Sequence, residues 1–229
     1  MEISMKKVSL NQNTAMVLFV FAVLLAGSIV TLKLADSSRV KESARILSEV
    51  RDLEIGKADA NTVVGLVRKH GGTPSNDKTS ECSQPTQAYA IRVRGIAQGF
   101  GNLGQTILGL FGIHQWGSTA TLWIGHNNLC SSSFRLGIAS TKARDSGNSA
   151  LEVSVISVVN CVAGTKQDSY VIHLQALRGT TYGTVCVPQM ASTDSRLRAY
   201  NLDYRCVSEF HGCVDLSSIA PLGWPEANN

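Results

Sequence analysis

The stretch Gly99-Phe-Gly-Asn-Leu-Gly104 decides between two folds. It is a literal G-x-G-x-x-G. A strand-like run at 89–94 precedes it, and a short helix-like run at 105–111 follows. In a doubly wound parallel sheet, such glycines allow a tight turn and close approach of backbone to a pyrophosphate. That unit also needs an acidic residue about 20 positions later to hold the ribose hydroxyls. No Asp or Glu stands between Gln105 and Arg144. Gly109 and Gly112 would break the helix, and the next run looks like part of a hairpin rather than a crossover. The stretch therefore reads as a glycine-rich loop. No nucleotide or other cofactor is expected, and the surrounding sheet is expected to be antiparallel.

The segments around it support that choice. Runs at 89–94, 120–124, 133–138, 151–159, 170–177, 181–187 and 197–204 alternate polar with apolar or are rich in β-branched residues. Turn-forming residues cluster at 145–148, 164–168 and 178–180. Short strands with such punctuation predict an antiparallel β domain over 88–229, arranged as a sandwich or half-barrel.

The glycine stretch lies in a longer uncharged region. No Lys, Arg, Asp or Glu occurs from Gly95 to Phe134. Two readings of its apolar residues stay open. Ile107, Leu108, Leu110, Phe111 and Ile113 could tuck into the core. Alternatively, Leu110 and Phe111 form an exposed apolar contact loop that touches a membrane surface or a partner. An uncharged patch is informative only when exposed.

Towards the N-terminus, residues 15–32 carry no charge. At 1.5 Å per residue they make a helix about 27 Å long, close to the hydrocarbon thickness of a bilayer. The run is longer than a signal-peptide core and lacks a good cleavage site, so an uncleaved transmembrane anchor over 15–34 is expected, after a short tail over 1–14. Ser28 stands where a lipid-bearing cysteine would be. Asp36, Ser37 and Ser38 offer helix caps, and apolar residues from Val40 to Val50 follow at helical steps. Asp59 offers a second cap, and Arg68, Lys69 and His70 suit a helix C-terminus before Gly71, Gly72 and Pro74. The expected result is a helical hairpin over 36–72, then a linker over 73–87.

Orientation rests on two opposed signals. Lys33, Arg39, Lys41, Arg45 and Arg51 outnumber Lys6 and Lys7, which by itself favours a cytoplasmic C-terminal part. All six cysteines lie beyond the span, and none forms a C-x-x-C pair, which favours disulfides and an oxidising compartment. The cysteines carry the expectation of an extracytoplasmic C-terminal domain.

Chemistry is thinly signalled. His114 and His126 lie near Ser131 in sequence, so a Ser/His site is conceivable. There is no G-x-S-x-G turn and no evident acid to orient an imidazole. Cys206, His211 and Cys213 could contribute to a zinc site, but a Cys206–Cys213 disulfide is simpler, and no metal is expected. Trp123 reads as core, and Trp224 reads as a fastener of the C-terminal tail. The net charge of +4 is mild and scattered, so no nucleic-acid partner is expected.

Residues 52–72, together with Asn201-Leu-Asp-Tyr-Arg-Cys206, Gly212-Cys213-Val-Asp215, Pro221 and Trp224, resemble a loose family of uncharacterised bacterial proteins with one N-terminal span. The resemblance implies an anchored architecture and no known activity. The expected function is a membrane-anchored extracytoplasmic binding or structural module of the cell envelope, with a possible envelope protein as partner. The alternative is an envelope hydrolase built on His114, His126 and Ser131.

Overall fold

A computed structural model of the chain describes residues 12–77, 82, 87–139, 150–159, 161, 171–177, 180–209 and 211–219. Residues 171–177 are described by their backbone alone. The expected turns at 145–148 and 164–168, and the tail containing Pro221 and Trp224, lie outside the described residues.

The fold is α+β. Helix α1 (Gln12–Asp52) is 41 residues long, about 60 Å at the standard rise. It begins three residues before the uncharged run of 15–32 and continues without a break through Asp36, Ser37 and Ser38. The helix start expected there does not occur. A polar residue with a short side chain caps a helix only where the chain enters from non-helical backbone, and here the upstream apolar run is already helical. The two halves of α1 differ sharply. Residues 13–28 are all exposed, whereas Asp36, Ser43, Ile46, Leu47 and Val50 are buried.

Helix α2 (Ala60–Lys69) starts at Asp59, whose carboxylate accepts from the Thr62 amide at 2.7 Å. Arg68 and Lys69 occupy its last turn, and Gly71 follows with φ +64°. That left-handed conformation suits glycine and ends the helix. Three side-chain contacts fasten α2 and its C-cap His70 to α1. The His70 ring bonds Glu42 through Nδ1 and Glu49 through Nε2, and Lys69 Nζ reaches Glu49 Oε1 at 2.8 Å.

Seven strands form one sheet: β1 (Thr73–Ser75), β2 (Gln87–Arg94), β3 (Trp116–Gly125), β4 (Asn128–Ala139), β5 (Ala150–Val158), β6 (Val171–Leu177) and β7 (Thr180–Pro188). The spatial order is β1-β2-β3-β4-β5-β7-β6. Every pairing is antiparallel except β5 with β7. The strands are not divided between two stacked sheets, so the sandwich arrangement is not what the described residues adopt. The β3–β4 hairpin turns on His126 and Asn127, with φ 52° and 66°. Two successive positive φ values match the twist of the flanking strands.

The segment expected as a strand at 197–204 is different. Ser192 Oγ accepts from the Ser195 amide and caps α4 (Thr193–Ala199), with Asp194 in its first turn and Arg196 and Arg198 in its last. In Leu197-Arg-Ala-Tyr-Asn-Leu-Asp-Tyr204 the apolar positions fit either period over so short a window, and the upstream cap decides. A single turn, α5 (Arg205–Ser208), follows.

The front of the sheet carries the core. Leu122, Phe134, Leu136, Val153, Val155 and Val185 pack beneath Ile46, Leu47 and Val50 of α1, Val63 and Val67 of α2, and Tyr200, Val207 and Ile219 of the C-terminal segment. Each fully buried large side chain contributes about 1.5–3 kcal/mol. Ser43 and Ser118 share a hydrogen bond at 2.7 Å, so α1 crosses directly over β3. Disulfides join Cys82 to Cys130, Cys161 to Cys186, and Cys206 to Cys213.

Candidate functional site

Alternation along a strand sends successive side chains to opposite faces. Trp116 and Ser118 face α1, so Gly117 and Thr119 face away from it. The register then builds a row across the back of the sheet: Arg94 opposite Gly117, Gly117 opposite Gly137, and Gly137 opposite Glu152. A second row runs Arg92, Thr119, Arg135 and Ser154. The two adjacent glycines remove side chains from the middle of the first row. What remains is a groove of about 450 Å³, walled by Arg92 and Arg94 on one side and Glu152 on the other, with Gln98, Gln115 and Thr180 at its rim.

The floor is open to close approach at Gly137 and covered by a side chain at Gly117. A Cβ at Gly137 would meet nothing nearer than the Gly117 carbonyl at 3.9 Å. At Gly117 the Gln98 amide lies over the backbone, within 2.8 Å of where a Cβ would stand. Arg92 and Arg94 are exposed, and neither forms an ion pair with another described residue. Two guanidiniums against one carboxylate give the groove a positive wall and a set of neutral amide and hydroxyl donors. Guanidinium groups bind carboxylate or phosphate through paired N–H donors. Among the described residues no group of His, Cys, Asp and Glu is arranged to hold a metal ion.

The groove occupies the end of the sheet nearest the bare half of α1. Arg39 of α1 donates to the Arg94 carbonyl at 2.8 Å. Two residues on, the Ile96 amide donates to Asp36 Oδ1 at 2.9 Å. The same carboxylate accepts from Trp116 Nε1. The helix and the groove-bearing strands are therefore bonded together on the protein's own polar groups.

Residues singled out from the sequence lie elsewhere. His114 and His126 stand at opposite ends of β3, roughly 30 Å apart at strand spacing. His114 is buried, with Nε2 bonded to the Glu209 carbonyl at 2.9 Å. His126 is exposed in the hairpin turn. Ser131 is fully buried and donates to the Ser157 carbonyl. These groups do not meet, and neither imidazole is backed by a carboxylate among the described residues. Cys206 and Cys213 have Cα atoms 4.8 Å apart and are bonded to each other, so neither offers a thiolate to zinc. Trp123 is buried on the back of the sheet, and its Nε1 donates to the Asp77 carbonyl.

The glycine-rich stretch divides into two parts. A 3-10 turn (Ile96–Gly99) leads to helix α3 (Asn102–Leu110). Leu108 and Ile113 are buried with Ala97, and Leu32 of α1 packs against them. Leu103, Ile107 and Leu110 are 76%, 47% and 63% exposed, and Phe100 and Phe111 are exposed beside them. The groove was not legible from local sequence. Arg92, Arg94 and Glu152 are ordinary strand residues until the register sets them around Gly117 and Gly137.

Among the ionisable groups, burial raises the Glu49 pKa, but hydrogen bonds from Lys69, His70 and Arg45 outweigh it and hold the carboxyl at about 2. This cluster is a fastening between α1 and α2 and lies away from the groove.

No protein-family model matches the chain, and no curated protein or solved structure is found to be similar to it.

Proposed function

We propose that the protein is a single-span, membrane-anchored extracytoplasmic binding module of the cell envelope. Its groove takes a polar ligand bearing an anionic group. The observation that carries this reading is α1 itself: one helix whose first half is apolar and bare and whose second half is buried on the sheet. The thirteen consecutive exposed residues 15–27, none of them polar, are tolerable only in an apolar medium. Three disulfides suit an oxidising compartment, which favours an extracytoplasmic sheet domain. The groove supplies the binding part: arginines with no ion pair among the described residues, amide donors, and a floor open at Gly137 into which a ligand can settle.

A photo-crosslinking residue in place of Thr119, in the intact anchored protein in cells, tests the binding role. A specific adduct is expected from that position and not from His126. Gly137→Val then fills the floor while raising strand propensity, so the adduct should disappear with the protein still folded. An adduct unchanged by Gly137→Val removes the groove as the binding site.

A further inference from the structure

We propose that α3 is a second membrane element, lying along the bilayer surface beside α1 with Leu103, Ile107 and Leu110 in the lipid. The proposal rests on the reading of α1 as a membrane span. Three observations carry it.

The first is the pattern on α3. Leu103, Ile107 and Leu110 follow at steps of four and three and so share one face of the helix. Phe100 before the helix and Phe111 after it extend the same patch. All five are exposed. The helix already has its packing contact through Leu108, on a different face, so this stripe is surplus to the core.

The second is its height along α1. Leu32 packs against the Ala97, Leu108 and Ile113 cluster. Leu32 ends the uncharged run, and Lys33 is the first charge after it. Gly112 and Ile113 also line a small cavity with Lys33, Leu34, Asp36 and Ser37. The α3 region is thus fixed at the level where the apolar half of α1 stops. That is the level of the headgroup boundary for a helix spanning the bilayer.

The third is charge. α3 and its flanks contain no ionisable side chain, and the polar residues of the helix are Asn102, Gln105 and Thr106. A helix with an apolar stripe and a neutral polar face partitions into the interface through buried apolar area. Without lysine or arginine, its seating should not depend on anionic lipid. The exposed stripe and the exposed apolar surface of α1 are then parts of one lipid-facing surface.

The test uses the full chain reconstituted into phosphatidylcholine vesicles. Single cysteines at Leu103, Val20 and His126 carry an environment-sensitive fluorophore, the native cysteines being held in disulfides. Nitroxide lipids report contact with the bilayer, and aqueous iodide reports exposure to water. The Leu103 label should be quenched by lipid labelled near the headgroup. Its iodide quenching should be about fivefold or more below that of the His126 label, with no change on adding anionic lipid or salt. A Leu103 label as open to iodide as His126, with Val20 still lipid-quenched, overturns the interfacial helix alone. A Leu103 label shielded from both quenchers means that protein covers the stripe, which also overturns it. A Val20 label untouched by any lipid quencher overturns the anchor reading and this proposal with it.

Discussion

Trp116 Nε1 reaches both carboxylate oxygens of Asp36 at 3.2 Å, tying the first residue of β3 to the middle of α1. Asp36 is 3% exposed and also accepts from the Ile96 amide. A single carboxylate therefore satisfies a strand side chain and a loop backbone at the point where the helix enters the domain. Asp36→Ala would leave the buried Trp116 indole and the part-buried Ile96 amide without this partner. Its expected cost is about 2–4 kcal/mol, read as a drop in the urea midpoint of the detergent-solubilised protein. Trp116→Phe should cost less through the lost hydrogen bond, and the two changes together should show a coupling of about 1 kcal/mol or more.

The cluster joining α1 to α2 predicts an acid-dependent loss of stability. Glu49 is held at about 2 in the folded protein, against an ordinary value of 4.5. A depressed folded pKa means that the unfolded chain binds the proton first. The contribution is therefore complete above pH 4.5 and is lost as the pH falls from there to about 2. With a quarter of the side chain exposed, solvent screening limits the effect to about 1–2 kcal/mol. Chemical denaturation across this interval should show that decline, and Glu49→Gln should flatten it.

The three disulfides close loops of very different length: 48 residues for Cys82–Cys130, 25 for Cys161–Cys186 and 7 for Cys206–Cys213. Loop-closure entropy predicts about 4 kcal/mol for the longest and about 2 kcal/mol for the shortest. Replacing Cys82 and Cys130 together by serine should therefore lower the unfolding midpoint more than the same change at Cys206 and Cys213. The reverse ranking would mean that the short C-terminal loop stabilises the native state directly rather than by constraining the unfolded chain.

The glycines around α3 are not equivalent. A Cβ at Gly95 would stand 2.6 Å from Trp116 Cδ1, whereas at Gly99 and Gly101 nothing lies within 4 Å. Gly95→Ala should destabilise by about 1–3 kcal/mol through overpacking against the indole. Gly99→Ala and Gly101→Ala should stay within about 0.5 kcal/mol of the parent. Thermal melts of the three variants check this, and a large loss at Gly99 or Gly101 would contradict the open space around them.

The legible part of this fold was whatever short-range pattern controls. The alternation in β4 and β5, the cap at Asp59 and the apolar run of α1 each report on neighbours a few residues away. The mostly antiparallel sheet followed from short strand-like runs punctuated by turn residues. Long-range pairing was hidden. Asp36 looks like a helix cap because its partner, Trp116, is 80 residues away. The parallel placement of β7 beside β5, with β6 outside it, leaves no trace in local composition. The groove shares that cause, since Gly117 and Gly137 become neighbours only through the β3–β4 register. For 197–204 the apolar spacing was ambiguous, and the deciding residue, Ser192, stood outside the window.

The unbroken helix has a mechanical consequence. From Leu34 to Asp52 it runs about 28 Å beyond its apolar half, clamped to the sheet along that length, with no hinge between the two. In a bilayer such a rod is a lever. Its tilt follows from the match between the apolar length and the thickness of the hydrocarbon layer. A change in tilt of about 20° would swing the far end of the sheet by about 10 Å, so membrane thickness would set the direction in which the domain points.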